Sequence, residues 1–241
     1  MNITLFHLIL SMLLLLPVGY AFWRLDTGLC RQTMMVVGRI AVSLLVLAFC
    51  LHYVFLWDFP WLNLLWVAVQ GGVATAIYCR RRWLVMPVYV SCLVCSLPLS
   101  LVVLWLTQVG GSVMEARFLI PVAAVMQADS LYVCRHGLSL YAFYRRQHAS
   151  LDEYLRGNGA EGLEAQRPFV AQAVRRAFVP ALSQMLLAGC VFVPSLLVGL
   201  LLMGAEPLQA TAFLAVLTVG AICCSVAALL LSLYIYHLLK K

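Results

Sequence analysis

One carboxylate, Asp129, lies inside a stretch otherwise apolar enough to cross a lipid bilayer, and it is the side chain best placed to do chemistry. An ionisable group in hydrocarbon is costly unless it pairs or meets water, so its default roles are a substrate or proton site, or a contact between helices. Gln127 and Ser130 flank it, either as further polar groups on a substrate path or as its local hydrogen-bond partners. Cys92 and Cys95 form a CxxC and Cys223 and Cys224 are adjacent, but a metal site of known type needs more ligands at defined spacing, so packing is the leading role for these thiols. The five histidines are scattered, and no GxSxG, Walker A or GxGxxG pattern occurs, so neither a hydrolase nor an ATPase has a visible site and the chain is not expected to be an enzyme. The metal question stays open at this level.

The elements that must hold these residues are membrane helices. Hydrophobic residues make up 64% of the 241 and charged ones only 10%, against roughly 45–50% and about 25% in soluble domains. With about 20 apolar residues per crossing, the chain reads as one all-α, polytopic membrane domain, 1–241, with seven transmembrane helices. The runs are Ile3–Trp23, Met34–Leu56, Trp61–Tyr78, Trp83–Thr107, Phe118–Cys134, Val179–Met203 and Leu208–Leu239; the fifth is short, about 25 Å by helical rise, and is either kinked near Pro121 or continued past Arg135. No basic residue precedes the first run and Arg24 and Arg31 follow it, which fits a retained helix rather than a signal peptide. Fourteen of the sixteen Lys and Arg residues then fall on one side, the exceptions being Arg39, which can snorkel, and Arg117. This predicts an outside N-terminus and a cytoplasmic C-terminus. The net charge of +7 is explained by that asymmetry, and no nucleic-acid partner is implied. Seven basic and four acidic residues gather between Arg135 and Arg176, a polar insertion that is either a connector or a docking surface.

From Gly159 to Ala210 the sequence resembles the seven-span permeases of the FetB type, the UPF0014 family, which form the membrane half of a bacterial ABC transporter implicated in iron export. Gly159, Ala160, Ala165, Arg175, Ala177, Pro180, Gly189, Pro194, Gly199, Gly204 and Pro207 carry the likeness, with Val37, Gly38, Arg39, Ile120 and Pro121 upstream. This is a divergent member: Ala124, Ala128, Asp129 and Leu131 stand where the family has a Gly-rich run with Asn and Met. Ser183 and Leu186 replace an Asp and a Lys, and Ser195, Leu196 and Leu197 replace Gly-Met-Met.

The resemblance implies a multi-pass inner-membrane permease subunit that exports a cargo, metal ions such as iron among the candidates. It implies a partner ABC ATPase carrying ATP and Mg, no cofactor in this chain, and a homodimer of permeases in the bilayer. In such permeases a short cytoplasmic helix sits in a groove of the ATPase. Within a coupling segment at about 136–178, Leu151, Tyr154, Leu155, Gly159, Ala160 and Leu163 are the expected contacts: Leu151, Tyr154, Leu155 and Leu163 as apolar anchors of an amphipathic helix over Leu151–Gln166, and Gly159 and Ala160 through the likeness to the family. Asp129, Gln127 and Ser130 are the expected path residues. The alternative is a non-transporting assembly or sensory subunit whose basic loop binds a soluble partner or anionic lipid.

Overall fold

The computed structural model describes residues 17, 20, 29–79, 82–108, 114–159, 163–190 and 195–239. Among them the chain is helical throughout, with no strand. The elements are α1 (Leu29–Trp57), α2 (Pro60–Tyr78), α3 (Arg82–Thr107), α4 (Ala116–Gln147), α5 (Ala149–Gly157), α6 (Leu163–Cys190), α7 (Ser195–Leu202) and α8 (Pro207–Leu239). Five helical stretches are long and apolar enough to cross a membrane: Arg31–Trp57, Pro60–Tyr78, Trp83–Thr107, Ala116–Gln147 and Pro207–Leu239. The expected first span, Ile3–Trp23, lies almost wholly outside the described residues. The expected sixth, Val179–Met203, is divided between α6 and α7, with 191–194 undescribed.

By its contacts the chain divides after Trp57. In the first unit, α1 exposes apolar side chains such as Met34, Leu45 and Phe49 around its length, the pattern of a helix solvated by lipid rather than water. In the second unit, α4 is the axis, packed by α2, α3, α6 and α8. Its buried residues recur every three or four positions, through Leu119, Ala123, Met126, Ser130, Cys134, Leu138 and Tyr141, so one face of the helix is in the core from end to end.

α4 contains the expected fifth span, Phe118–Cys134, and takes the longer of its two readings. The helix runs unbroken through Pro121 and Arg135 to Gln147, 32 residues, about 48 Å by helical rise. Since the hydrocarbon layer is about 30 Å thick, a straight crossing would use about two thirds of α4 and leave roughly a third as a projection. The first half of α6 packs alongside this projection, with Phe169, Ala173 and Ala177 against Leu138, Tyr141 and Tyr144 in one buried cluster. The polar insertion Arg135–Arg176 is therefore mostly two helical extensions, and only the stretch around α5 connects them. Where α4 crosses α8, Gly137 sits so close that a β-carbon would strike Leu229 Cδ1. Small residues are required there for the backbones to approach.

The opposite end of α4 is tied to α2. Asp58 takes a left-handed φ of 38°, which Asp tolerates. Its Oδ1 accepts from the Ala116 amide at 2.9 Å and from Asn63 Nδ2 at 3.0 Å, while Asn63 Nδ2 also donates to Met114 O at 2.9 Å. A carboxylate on the first amide of α4 complements the positive end of the helix dipole. The backbone hydrogen bond from Ala116, then that from Asn63, holds the Asp58 carboxyl below the usual carboxylate range.

Candidate functional site

A cavity of about 390 Å³ lies between α2, α3 and α4, walled by Gly71, Ala74, Tyr89, Leu93, Ala128 and Leu131. Gln127 forms part of its lining. The amide of Gln127 is already engaged, Nε2 donating to Val67 O at 3.2 Å, and its oxygen packs where a β-carbon on Gly71 would lie 3.0 Å away. Gln127 thus fastens α4 to α2 while presenting one face to the cavity.

Ser130 turns into the packed interior instead, fully buried, its hydroxyl donating to Gln127 O at 3.1 Å. Asp129 is half-buried on α4, and no hydrogen bond or ion pair joins it to a described residue. The three residues expected along the path therefore point to different surroundings, because successive positions on a helix are turned by about 100°. Cys92 of the CxxC also reaches the cavity wall, and it belongs to the same buried cluster as Cys134 of α4. Cys134 was not signalled by any sequence spacing. Among the described residues, no group of three or more His, Cys, Asp or Glu side chains is arranged to hold a metal ion.

A second cavity, of about 540 Å³, adjoins the first. Arg135, His136, Ser139, Phe143 and Arg146 of α4 line it, along with Tyr78 and Leu84. The Arg135 guanidinium lies over the Tyr78 ring, 4.2 Å from its centroid. Between α4, α6 and α8 a buried relay closes the same end of the bundle: Tyr141 donates to Gln166 Oε1 at 2.7 Å, and Gln166 Nε2 lies 2.8 Å from His237 Nδ1. With its oxygen occupied by Tyr141, the Gln166 amide donates and His237 Nδ1 accepts. Neither Gln166 nor His237 stood out in the sequence, since a lone Gln in a polar segment and a His near a chain end carry no spacing signal.

At the tip of the α4–α6 projection, α5 touches both helices yet leaves Leu151 42% and Tyr154 67% exposed. Leu155 is half-buried. Gly159 is exposed with φ of 85°, a conformation that glycine adopts freely. Ala160 lies outside the described residues, and Leu163 opens α6. The expected helix over Leu151–Gln166 is thus corrected: it ends at Gly157, the chain turns at Asn158 and Gly159, and Gln166 belongs to the next helix. Gly159 cannot be a mid-helix residue in this arrangement.

The profile of a family described as "Uncharacterised protein family (UPF0014)" matches residues 5–239. A curated relative, the UPF0014 membrane protein slr1647 of Synechocystis sp., is 26% identical over 197 residues, which cover 77% of this chain and 74% of the relative. No solved structure matches the chain.

Proposed function

The chain belongs to the UPF0014 family of membrane proteins, and on that premise we propose that it is the membrane-spanning permease subunit of an ABC transporter, powered by a separate ATPase. One observation carries this reading. A short helix, α5, caps a pair of helices that project beyond the apolar layer and presents Leu151 and Tyr154 unburied at the tip. An amphipathic helix with free apolar anchors suits a groove on a soluble partner, and α4 and α6 would transmit a push on it into the bundle as rigid levers. ATP and Mg would reside on the partner. Two copies of this chain would supply the two membrane halves, in an inner membrane, with α5 on the cytoplasmic side.

Asp129 is the group offered to a transported ion, being a carboxylate within a span and joined to no described residue. Gln127 contributes to the wall of the path. The cargo class that the family resemblance suggests is a metal ion such as iron, moved outward.

The test is co-expression with a candidate ABC ATPase from the same genome. Leu151→Ser with Tyr154→Ser should accumulate in membranes as the parent does, because neither side chain is buried, but should lose the ATPase on purification. Anchor residues of this kind are worth about 2 kcal/mol or more each, so affinity should fall at least roughly thirtyfold. Retention of an intact complex with unchanged ATP turnover would remove the docking reading.

A further inference from the structure

The two cavities along α4 share Tyr78 and Tyr132 as walls, so they form one groove that changes character along its length. Its deep part, between Ala124 and Tyr132 on α4, is lined largely by apolar and aromatic side chains from three helices. Its other part carries Arg135, His136 and Arg146, and among the described residues no acidic side chain lines it. Arg135 lies nineteen residues beyond Ala116, about 29 Å along the helix, close to the ~30 Å thickness of the hydrocarbon layer. The change from apolar to basic therefore falls where a bilayer passes from acyl chains to headgroups.

We propose that this groove holds one anionic phospholipid, its phosphate on Arg135, with Arg146 adding positive charge about 16 Å further along the helix, and one acyl chain running past Leu131 toward Gly71. A small water-soluble anion would use only the basic part and would leave the apolar slot unexplained, and an uncharged apolar molecule would use only the slot. The phospholipid fills both. The Arg135 guanidinium lies over the Tyr78 ring, and a guanidinium packed on an aromatic ring can still donate through its N–H edge to a phosphate. Tyr132, 37% exposed, lines both parts of the groove and supplies an amphipathic rim between them. Ala124, Ala128 and Gly71 keep the slot open, since larger side chains at these positions would fill it.

The inference does not depend on transport or on an ATPase, and it is read by binding alone. The full-length protein in mild detergent, titrated with phosphatidylglycerol or phosphatidylcholine and weighed by native mass spectrometry, should retain one phosphatidylglycerol in preference to phosphatidylcholine. Arg146→Gln, an exposed position, should weaken that binding about fivefold, as expected for one basic residue at an anionic lipid surface. Arg135→Gln should weaken it by a similar factor. Ala128→Phe should reduce it by blocking the slot without altering charge, while Arg167→Gln, exposed and outside the groove, should leave it unchanged.

Equal retention of the two lipids, or parent-like binding by the Arg135→Gln and Arg146→Gln double variant, would overturn the proposal. So would full competition by glycerol 1-phosphate at matched concentration, which would assign the basic part to free phosphate. A lipid-free dimer in which Ala128→Phe dissociates the subunits would assign the groove to a second copy of the chain.

Discussion

Replacing Gly220 with valine should sharply lower both the yield of the membrane protein and its thermal stability in detergent. A β-carbon at Gly220 would come within 2.6 Å of Val103 Cγ2 and 2.7 Å of Met126 Cε, in a core where both neighbours are almost fully buried. Met126 can swing its terminal methyl aside, but Val103 is β-branched and stiff about its first side-chain bond. Relief must therefore come from moving α3 or α8. Overpacking of this kind costs about 1–3 kcal/mol, occasionally more, and valine adds further carbons beyond the β-carbon. Gly199, on α7, is the control: nothing lies within 4 Å of a β-carbon there, and Gly199→Ala should be neutral or stabilising by up to about 1 kcal/mol. A Gly220→Val protein as stable as the parent would show that α3, α4 and α8 do not approach as described.

The second large effect is expected at Gln166. Gln166→Ala removes the hydrogen bonds to Tyr141 and to His237 at once, from a side chain only 2% exposed. Leaving buried polar groups unpaired costs about 1–3 kcal/mol per group. The loss should appear as a lower thermal midpoint, read by the near-ultraviolet signal of the purified protein, and should occur with or without any ATPase. Leu151→Ser with Tyr154→Ser should show the reverse profile, with the midpoint unchanged and the complex lost. The pair of measurements separates residues that hold the bundle from residues that offer a surface, although all three belong to the stretch from Leu151 to Gln166. An unchanged midpoint for Gln166→Ala would mean that the relay contributes nothing to stability.

Composition and the placement of charge determined the class of this protein. A chain 64% hydrophobic with 10% charged residues has to bury its backbone polar groups within helices in lipid, and the boundaries of α2, α3 and α8 follow closely from their apolar runs, as at Trp61–Tyr78 and Pro60–Tyr78. The same patterning left the end of α4 open from Arg135 onward. Hydropathy records where lipid ends, and α4 continues past that point because its far turns are held by α6 through Tyr141, Tyr144, Phe169 and Ala173. Such stabilisation acts between residues distant in sequence and leaves no local hydropathy signal.

The candidate site divides in the same way. Asp129 was legible because a carboxylate in a span is conspicuous by type alone. That Gln127 is tied to Val67, that Ser130 turns into the core beside Cys92 and Cys134, and that Gln166 pairs with Tyr141 and His237 all depend on which face of each helix meets a neighbour. The groove is likewise absent from the sequence as such. Arg135 and Arg146 read there as members of a basic segment that orients the chain or meets a soluble partner or anionic lipid, and the tertiary structure alone sets Arg135 against Tyr78 at the mouth of an apolar slot. Type and spacing specify helices and their depth in the bilayer; the rotation and approach of those helices, fixed by close contacts such as those at Gly137 and Gly220, decide which of their side chains share a site.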